Sequence, residues 1–179
     1  MTTFVAFLRA INLAGRRKVP MADLRAVLAD AGYGDVTTHL QTGNVVLQSN
    51  LRSAKTIARD LEAALGTAFD FDIDVMVRTA GETAKIVQGN PFVRRGVDPS
   101  TLAVGFLKAR PAAAASRRLD GADFAPEEFA LSRSELYLRY PNGLGRAKMS
   151  GAYLERALAT PATLRNWSVV TKLAELSRG

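Results

Sequence analysis

The chain has 179 residues, 47% of them hydrophobic and 23% charged, a composition typical of a globular protein with one domain or two small packed halves. It contains no cysteine, which excludes disulfides, thiol catalysis and thiolate metal sites and agrees with a reducing compartment. No apolar run approaches the roughly 20 residues of a membrane span, and the first residues predict a strand rather than a leader. We therefore expect a cytoplasmic protein with no membrane partner.

The formal net charge is +7, and the excess lies at the two ends of the chain. Residues 1–60 carry +4, residues 61–139 carry −1 and residues 140–179 carry +4. This distribution favours an anionic partner such as a phosphate, a nucleotide or a nucleic acid. A compositional explanation stays open, because 18 of the 24 cations are arginines in an alanine-rich chain.

The first half of the chain predicts the order β-α-β-β-α-β, which is the ferredoxin-like pattern. Hydrophobic periodicity and the capping and turn residues set the element ends. In chain order, the predicted elements are a buried strand over 3–12, a helix from Pro20 to Gly32, strands over 36–41 and 44–49 joined by Thr42-Gly43, a helix from Ser53 to Gly66, and a half-exposed strand over 71–78.

The second half predicts the order α-β-α-β-β-α-α, close to that of the first half but without a residue-level repeat. Its predicted elements are a helix opened by a capping box of Thr79 and Glu82, a linker over 92–101, a strand over 101–108, a helix over 110–119, a hairpin around Arg133 and two closing helices. We predict an α+β fold of two ferredoxin-like halves with mainly antiparallel sheets. The halves are residues 1–91 and 92–179, as two subdomains or one tightly packed domain.

Two stretches carry a family resemblance: "FLRAINLAGRRKVPMADLRAVLADAGYGDVTTHLQTGNVVL" and "ATLRNWSVVTKL". Four motifs in this order resemble those of the bacterial domain-of-unknown-function 1697 family: an Arg-Ala-Ile-Asn strand end, a Lys-Val-x-Met helix entry, a Gln-Ser-Gly-Asn hairpin and a Thr-x-Arg-Asn-Trp helix start. The chain departs from that pattern at Thr42, where serine is commoner, and at His39, where an aromatic residue is frequent. The resemblance implies no activity. The positions that it picks out are Arg9, Asn12, Lys18, Met21, Gln41, Gly43 and Asn44 near the start, and Lys148, Thr163, Arg165, Asn166, Trp167 and Lys172 near the end.

Polar residues follow the first predicted strand, where ligands of open sheets often gather. Arg9 and Lys18 are candidate anion ligands, and Asn12 either orients the ligand or caps the loop. Arg16 and Arg17 predict a solvated turn.

The segment Gln41-Thr42-Gly43-Asn44 is typical of a tight hairpin turn, and a role for its two amides in binding a polar ligand is the alternative. His39, the single histidine, offers neither a metal set nor a catalytic triad. Three aspartates within 70–74 predict either a cation site or a solvated edge strand. We predict no metal site, and no cofactor fingerprint is complete.

The loop "YPNGLGRAKMS" at 140–150 places Lys148 just before Ser150, a predicted helix N-cap. Glycines free its backbone N–H groups to face an anion, although it matches neither a Walker loop nor a dinucleotide fingerprint, and an ordinary glycine-rich loop is the alternative. A second helix is predicted to begin at Thr160 with Pro161, so that Arg165 opposes the dipole in its first turn.

If these two helix starts converge, one anion serves both cations. Asn166 then faces the ligand, while Trp167 packs in the core. Alternatively, Arg165 pairs with a buried carboxylate such as Asp23.

We therefore predict that a small anionic ligand, carrying phosphate or carboxylate, binds in a cleft between the halves. The predicted ligand residues are Arg9, Asn12, Lys18, Gln41, Asn44, Lys148, Arg165 and Asn166. The alternatives are a nucleic-acid-binding module with a broad basic surface and an interaction or scaffold protein without a ligand. No nucleophile or general base stands out, so the sequence assigns no reaction.

Overall fold

The computed structural model describes residues 1–119 and 121–179, which form two compact units. The first unit comprises Met1–Lys85 and Lys172–Gly179, and the second comprises Ile86–Thr171. The predicted division between residues 91 and 92 stays a prediction. The predicted linker is not an open loop, because it contains a short helix and a 3₁₀ turn.

The first unit is a four-stranded antiparallel sheet with two helices packed against it. The strand order is β2-β3-β1-β4, so the first strand lies inside the sheet, as a ferredoxin-like half requires. In chain order its elements are β1 (Thr2–Leu8), α1 (Met21–Asp30), β2 (Gly34–His39), β3 (Asn44–Ser49), α2 (Ala54–Phe69) and β4 (Val75–Thr79).

The core of the first unit lies between the sheet and its helices. Phe4, Ala6 and Leu8 of β1 point to this side because side chains alternate along a strand, and they pack with apolar residues of α1 and α2. Val5 and Phe7, on the other face of the sheet, are also fully buried. The prediction of a central strand covered on both faces is confirmed, but its predicted end at residue 12 is wrong, because β1 ends at Leu8.

Helix α2 begins as predicted but ends later. The Ser53 hydroxyl accepts the Thr56 N–H at 3.2 Å, which confirms the N-cap. The predicted end at Gly66 is wrong, because the helix continues to Phe69 and closes at Asp70 with φ of 61°. A single glycine within sixteen helical residues costs about 1 kcal/mol, which the packing of the helix outweighs.

The predicted strand over 71–78 is shortened at its start, since β4 begins at Val75. The capping box that follows it is confirmed. The Thr79 N–H donates to the Glu82 carboxylate at 2.8 Å, and the Glu82 N–H donates to the Thr79 hydroxyl at 3.1 Å. This box opens α3 (Ala80–Gln88).

The second unit repeats the architecture of the first. Its sheet is antiparallel with the order β6-β7-β5-β8. In chain order the elements are α4 (Pro91–Arg94), β5 (Leu102–Leu107), α5 (Ala113–Ser116), β6 (Glu128–Ser132), β7 (Glu135–Arg139), α6 (Gly151–Leu158) and β8 (Ala162–Asn166). The last helix, α7 (Trp167–Leu176), begins in this unit, and its residues from Lys172 onward belong to the first unit. None of the helices in the described ranges combines the length and apolar character needed to cross a bilayer.

The prediction of a helix that begins at Thr160 is wrong. Residues Ala162–Asn166 form β8, which pairs with β5 and sets Arg165 opposite Val104, and α7 begins only at Trp167. Thr160 and Pro161 imitate a helix start, but pairing with the free edge of β5 decides the local structure. The dipole argument for Arg165 therefore fails, because this residue lies in a strand.

The expectation that no residue-level repeat accompanies the repeated order is also wrong. The sequence VAFLRA (5–10) at the end of β1 corresponds to VGFLKA (104–109) at the end of β5. The same backbone bonds hold both strand ends. These bonds are Leu8 N–H to Gly43 O (2.8 Å), Leu107 N–H to Ser134 O (2.9 Å), Arg9 N–H to Asp74 O (2.9 Å) and Lys108 N–H to Pro161 O (2.9 Å).

Helices α2 and α6, each of which directly precedes the last strand of its sheet in the chain, carry another matching segment: LEAAL (61–65) in α2 and LERAL (154–158) in α6. The Glu62 carboxylate accepts the N–H of the first residue of β4 at 2.9 Å. The Glu155 carboxylate accepts the N–H of the first residue of β8 at 2.8 Å. The two halves thus share a side-chain contact as well as a topology, which indicates an internal duplication.

Candidate functional site

The connection from β1 to α1 contains a small hairpin of its own, residues 12–17, which we call the loop hairpin. Leu13 and Arg16 exchange two backbone hydrogen bonds, of 3.0 and 2.8 Å. Between them, Ala14 and Gly15 have φ of 44° and 80°, as the central residues of a type I′ turn require. The turn therefore has a defined geometry and is not a flexible basic loop.

Asn12 fixes the base of the loop hairpin. Its N–H donates to Arg17 O at 2.9 Å. Its side-chain amide donates to Val19 O at 3.0 Å and to Gln41 O at 2.7 Å, and its Oδ1 accepts the Val19 N–H at 2.8 Å. The side chain thus joins the loop hairpin to the entry of α1 and to the turn between β2 and β3. Its role in orienting a ligand stays a prediction.

Arg17 fixes the other side of the loop hairpin. Its guanidinium donates from Nε to Ala10 O at 2.6 Å and from Nη2 to Asp72 O at 2.7 Å. The same group lies over the Phe71 ring, with Cζ 4.6 Å from the ring centroid. The predicted solvated turn is therefore wrong for Arg17, while Arg16 is exposed.

The turn between β2 and β3 packs tightly under the loop. Gly43 has φ of 82°, and a Cβ atom there would lie 2.7 Å from Leu8 Cβ and 2.9 Å from Ile11 Cδ1. Only glycine meets both conditions, because an L residue is strained at this φ and its side chain would clash. This close approach holds the turn beside the end of β1.

Asn44 is fully buried at the start of β3. Its side-chain amide donates to His39 O and to the Thr42 hydroxyl, each at 2.9 Å. These bonds stabilise the turn, as expected for the tight-hairpin interpretation. Its role as a ligand residue stays a prediction.

The other three predicted ligand residues of the first unit differ in their surroundings. Arg9 Nη1 lies 3.8 Å from Asp74 Oδ2, and the two side chains are 33% and 29% exposed. Lys18 and Gln41 are exposed, and Gln41 is joined to the loop hairpin through the bond from Asn12 to its backbone oxygen. The first unit therefore brings Asn12, Gln41 and the exposed cations Arg16 and Lys18 into one region.

In the second unit, the glycine-rich loop before α6 already binds an anion of the chain itself. The N–H groups of Lys148 and Met149 donate to the two carboxylate oxygens of Glu127, each at 2.8 Å. The Ser150 hydroxyl accepts the Tyr153 N–H at 3.2 Å, which confirms the predicted N-cap. Glu127 stands in no motif, so the sequence could not single it out. The exposed Lys148 side chain as a ligand residue stays a prediction.

Arg165 lies inside the second unit and is 7% exposed. Its Nη1 donates to the Thr163 hydroxyl at 2.6 Å and to Leu164 O at 3.0 Å. Burial lowers the pKa of its guanidinium to about 10, which leaves the group charged at neutral pH. Its role in ligand binding stays a prediction.

The two residues after Arg165 divide as expected between surface and core. Asn166 is exposed at the end of β8, and its role as a ligand residue stays a prediction. Trp167 is 6% exposed, which confirms the core position predicted for it.

A second carboxylate of the same unit bridges two arginines. Glu128 accepts from Arg95 Nη1 at 3.1 Å and from Arg139 on its other oxygen. The Arg139 hydrogen bond, more than the Arg95 contacts, holds the pKa of Glu128 below its usual range. Burial raises the pKa of Tyr137 to about 12, and its hydroxyl donates to Ile86 O at 2.9 Å. These contacts join β6 and β7 to the segment 86–95.

The acidic run over 70–74 gives no metal centre. Asp70 closes α2, Asp72 offers its backbone oxygen to Arg17, and Asp74 pairs with Arg9. Across residues 1–119 and 121–179, no three histidine, cysteine or acidic side chains are grouped as a metal ion requires. The solvated-edge interpretation holds in part, because Asp70 and Asp72 are exposed and β4 lies at the edge of its sheet, but the three aspartates precede the strand instead of lying in it.

Comparison with known proteins identifies the family. The chain is similar over 98% of its length, and 98% of the other chain, to "conserved bacterial protein SP0830 from Streptococcus pneumoniae", with a TM-score of 0.72 and 18% identity. That likeness shows a shared fold. No curated protein matches the sequence. The family described as "Protein of unknown function (DUF1697)" matches residues 1–137, and the chain therefore belongs to the DUF1697 family.

Proposed function

We propose that this protein binds a small anionic ligand, carrying phosphate or carboxylate, at the surface of the loop hairpin in its first unit. The observation that carries the proposal is that the polar side chains there have two different roles. The side chains of Asn12 and Arg17 donate hydrogen bonds to backbone carbonyl oxygens and hold the hairpin rigid. Those of Arg16 and Lys18 are exposed to solvent. A rigid backbone that presents two cations needs little reorganisation to bind an anion.

The charge of the segment supports the same conclusion. Residues 1–22 contain four cations and no acidic residue. Of these cations, Arg17 is bound to carbonyl oxygens rather than to a carboxylate, so its positive charge is not neutralised at short range. Arg9 is offset by Asp74, and the exposed cations Arg16 and Lys18 are the ones that favour an anion at this surface.

Backbone strain also supports a ligand site here. Five residues between 10 and 17 have positive φ, and only one of them is glycine. Such strain costs about 1–3 kcal/mol per residue and is concentrated at ligand clamps and active sites. The corresponding connection after β5 has no residue of positive φ between 108 and 112.

Thermal unfolding in the presence of inorganic phosphate, nucleoside phosphates and citrate tests the proposal. At a hundred times its Kd a ligand adds about 2.7 kcal/mol to the stability, which raises Tm by several degrees. We expect Lys18→Ala and Arg16→Ala to lose most of this increase. The matched control is Lys55→Ala, which removes an exposed cation from α2 of the same unit.

Two results would contradict the proposal. One is that none of these anions stabilises the wild-type protein. The other is stabilisation that Lys55→Ala reduces as much as Lys18→Ala. Binding of DNA or RNA that weakens steeply with salt and is spread over many arginines would favour the nucleic-acid alternative instead.

A further inference from the structure

We infer that the anion bound at the loop hairpin carries an apolar group, so that the ligand is a small amphiphile such as an alkyl phosphate or an alkyl carboxylate. The inference rests on the proposed function and names the class of its ligand. It starts from two leucines at the same region, Leu13 and Leu40, which are 50% and 54% exposed.

A hydrogen bond joins the two segments that carry these leucines. Leu13 follows Asn12 and Leu40 precedes Gln41, and the Asn12 amide donates to Gln41 O at 2.7 Å. The backbone segments that carry the two leucines are therefore adjacent.

The backbone disfavours a leucine at position 40. Leu40 has φ of 60°, a conformation that glycine and asparagine adopt readily and that a bulky residue adopts at a cost. Burial does not offset this cost, because an apolar side chain in a surface turn stays in water. A ligand that covers the side chain would supply the missing burial.

The cations lie beside the apolar groups. Leu13 is the direct pairing partner of Arg16 across the loop hairpin, and Lys18 follows one residue beyond the hairpin. An anionic headgroup on Arg16 and Lys18 would thus place an attached chain against Leu13. A ligand of phosphate or carboxylate alone would leave both leucines in water.

The experiment is a titration with inorganic phosphate and with methyl, butyl, hexyl and octyl phosphate, each below its micelle concentration. We expect the affinity to rise about two- to fourfold for each methylene that becomes covered. Leu13→Ser and Leu40→Asn should flatten this dependence on chain length while keeping the affinity for methyl phosphate. Leu51→Ser, at a leucine 42% exposed before α2, is the matched control and should leave the dependence intact.

The fold of one variant can be checked independently, because asparagine suits the backbone of residue 40 and Leu40→Asn should unfold at or above the wild-type temperature. Equal affinity for methyl and octyl phosphate would overturn the inference and leave the proposed function standing. Absence of binding by every phosphate would overturn both. Binding to anionic lipid vesicles without binding of soluble octyl phosphate would also overturn it, in favour of a membrane surface.

Discussion

The two halves of the molecule are built on the same plan and differ mainly in one connection. Both have an antiparallel four-stranded sheet of the same order, and the ends of β1 and β5 match in sequence. In both, a glutamate of the helix before the last strand (α2 or α6) accepts a hydrogen bond from the first residue of that strand. Between β1 and α1 the first half has twelve residues, 9–20, folded into the loop hairpin. Between β5 and α5 the second half has five, 108–112.

The longer connection of the first half is therefore the better candidate for a binding site. The duplicated parts are explained by folding, since they bury apolar residues and satisfy backbone groups in both halves. The loop hairpin and the residue after it add exposed Leu13, Arg16 and Lys18, which have no counterpart in the shorter connection. Connections that a rigid scaffold holds in place are the usual position of binding residues.

The largest effect on stability is expected at Gly43, which has no glycine counterpart, because Ser134 occupies the matching position in the second half. Gly43→Ala combines strain at φ of 82° with a Cβ placed 2.7 Å from Leu8. We expect a loss of about 2–4 kcal/mol in the free energy of unfolding, measured by urea denaturation. Gly145→Ala, where no atom lies within 4 Å of the added Cβ, should be close to neutral. Equal losses in the two variants would show that the turn is not held by this close approach.

The next effect is expected at Asn12, which exists only in the longer connection. Asn12→Ala removes three side-chain hydrogen bonds, and we expect a loss of about 1.5–3 kcal/mol. Asn12→Asp keeps the acceptor for the Val19 N–H but sets a carboxylate oxygen against the Val19 and Gln41 carbonyl oxygens, so its loss should be at least as large. Amide hydrogen exchange should show faster exchange in residues 12–19 before any change in β1. Unchanged exchange there would contradict the role given to this side chain.

A third effect tests the duplication directly. Glu62→Ala and Glu155→Ala each remove a charge-assisted hydrogen bond to the first residue of a strand. Because the contacts match, each variant should lose about 1–2 kcal/mol, and the two losses should agree within about 0.5 kcal/mol. Denaturation of both variants in the same buffer measures this. A strong loss in one and none in the other would mean that the shared contact does not have a shared role.

The smallest effect is a pH dependence in the second half. The pKa of Glu128 is lowered, chiefly by the hydrogen bond from Arg139, so its contribution to stability is complete above the unfolded pKa and is lost as the pH falls through the folded pKa. Glu128→Gln should therefore cost about 0.5 kcal/mol at pH 7, since the side chain is one third exposed, and less at pH 2. Unfolding curves at the two pH values check the sign. A cost that grows in acid would contradict it.

Most of the fold follows from local patterns. Alternating or continuous apolar runs predict seven of the eight strands, and Ser53, Ser150 and the box of Thr79 and Glu82 begin helices as their sequences indicate. The strand that these patterns do not predict is β8. Its five residues follow Thr160 and Pro161, which are typical of a helix start, so the sequence predicts a helix there instead. Its conformation depends on the partner strand β5, which no local window contains.

The site follows from the sequence less completely. Sequence patterns select Asn12 and Lys18, but they place Arg17 in solvent, although its guanidinium binds two backbone oxygens in the folded chain. They also propose an anion site before α6 without Glu127, whose carboxylate is 21 residues away in sequence from the Lys148 N–H that it binds. In both places the tertiary fold brings together partners that are far apart in sequence.

The central claim is that the loop hairpin of the first half, rather than the glycine-rich loop of the second, binds the anion. A titration with inorganic phosphate followed by the backbone amide signals of the whole chain tests it most directly. We predict saturable chemical-shift changes of the amide signals of residues 12–18 and of Gln41. Lys18→Ala should remove these changes, and Lys148→Ala should leave them as they are. Shifts confined to residues 143–150, removed by Lys148→Ala, would contradict it.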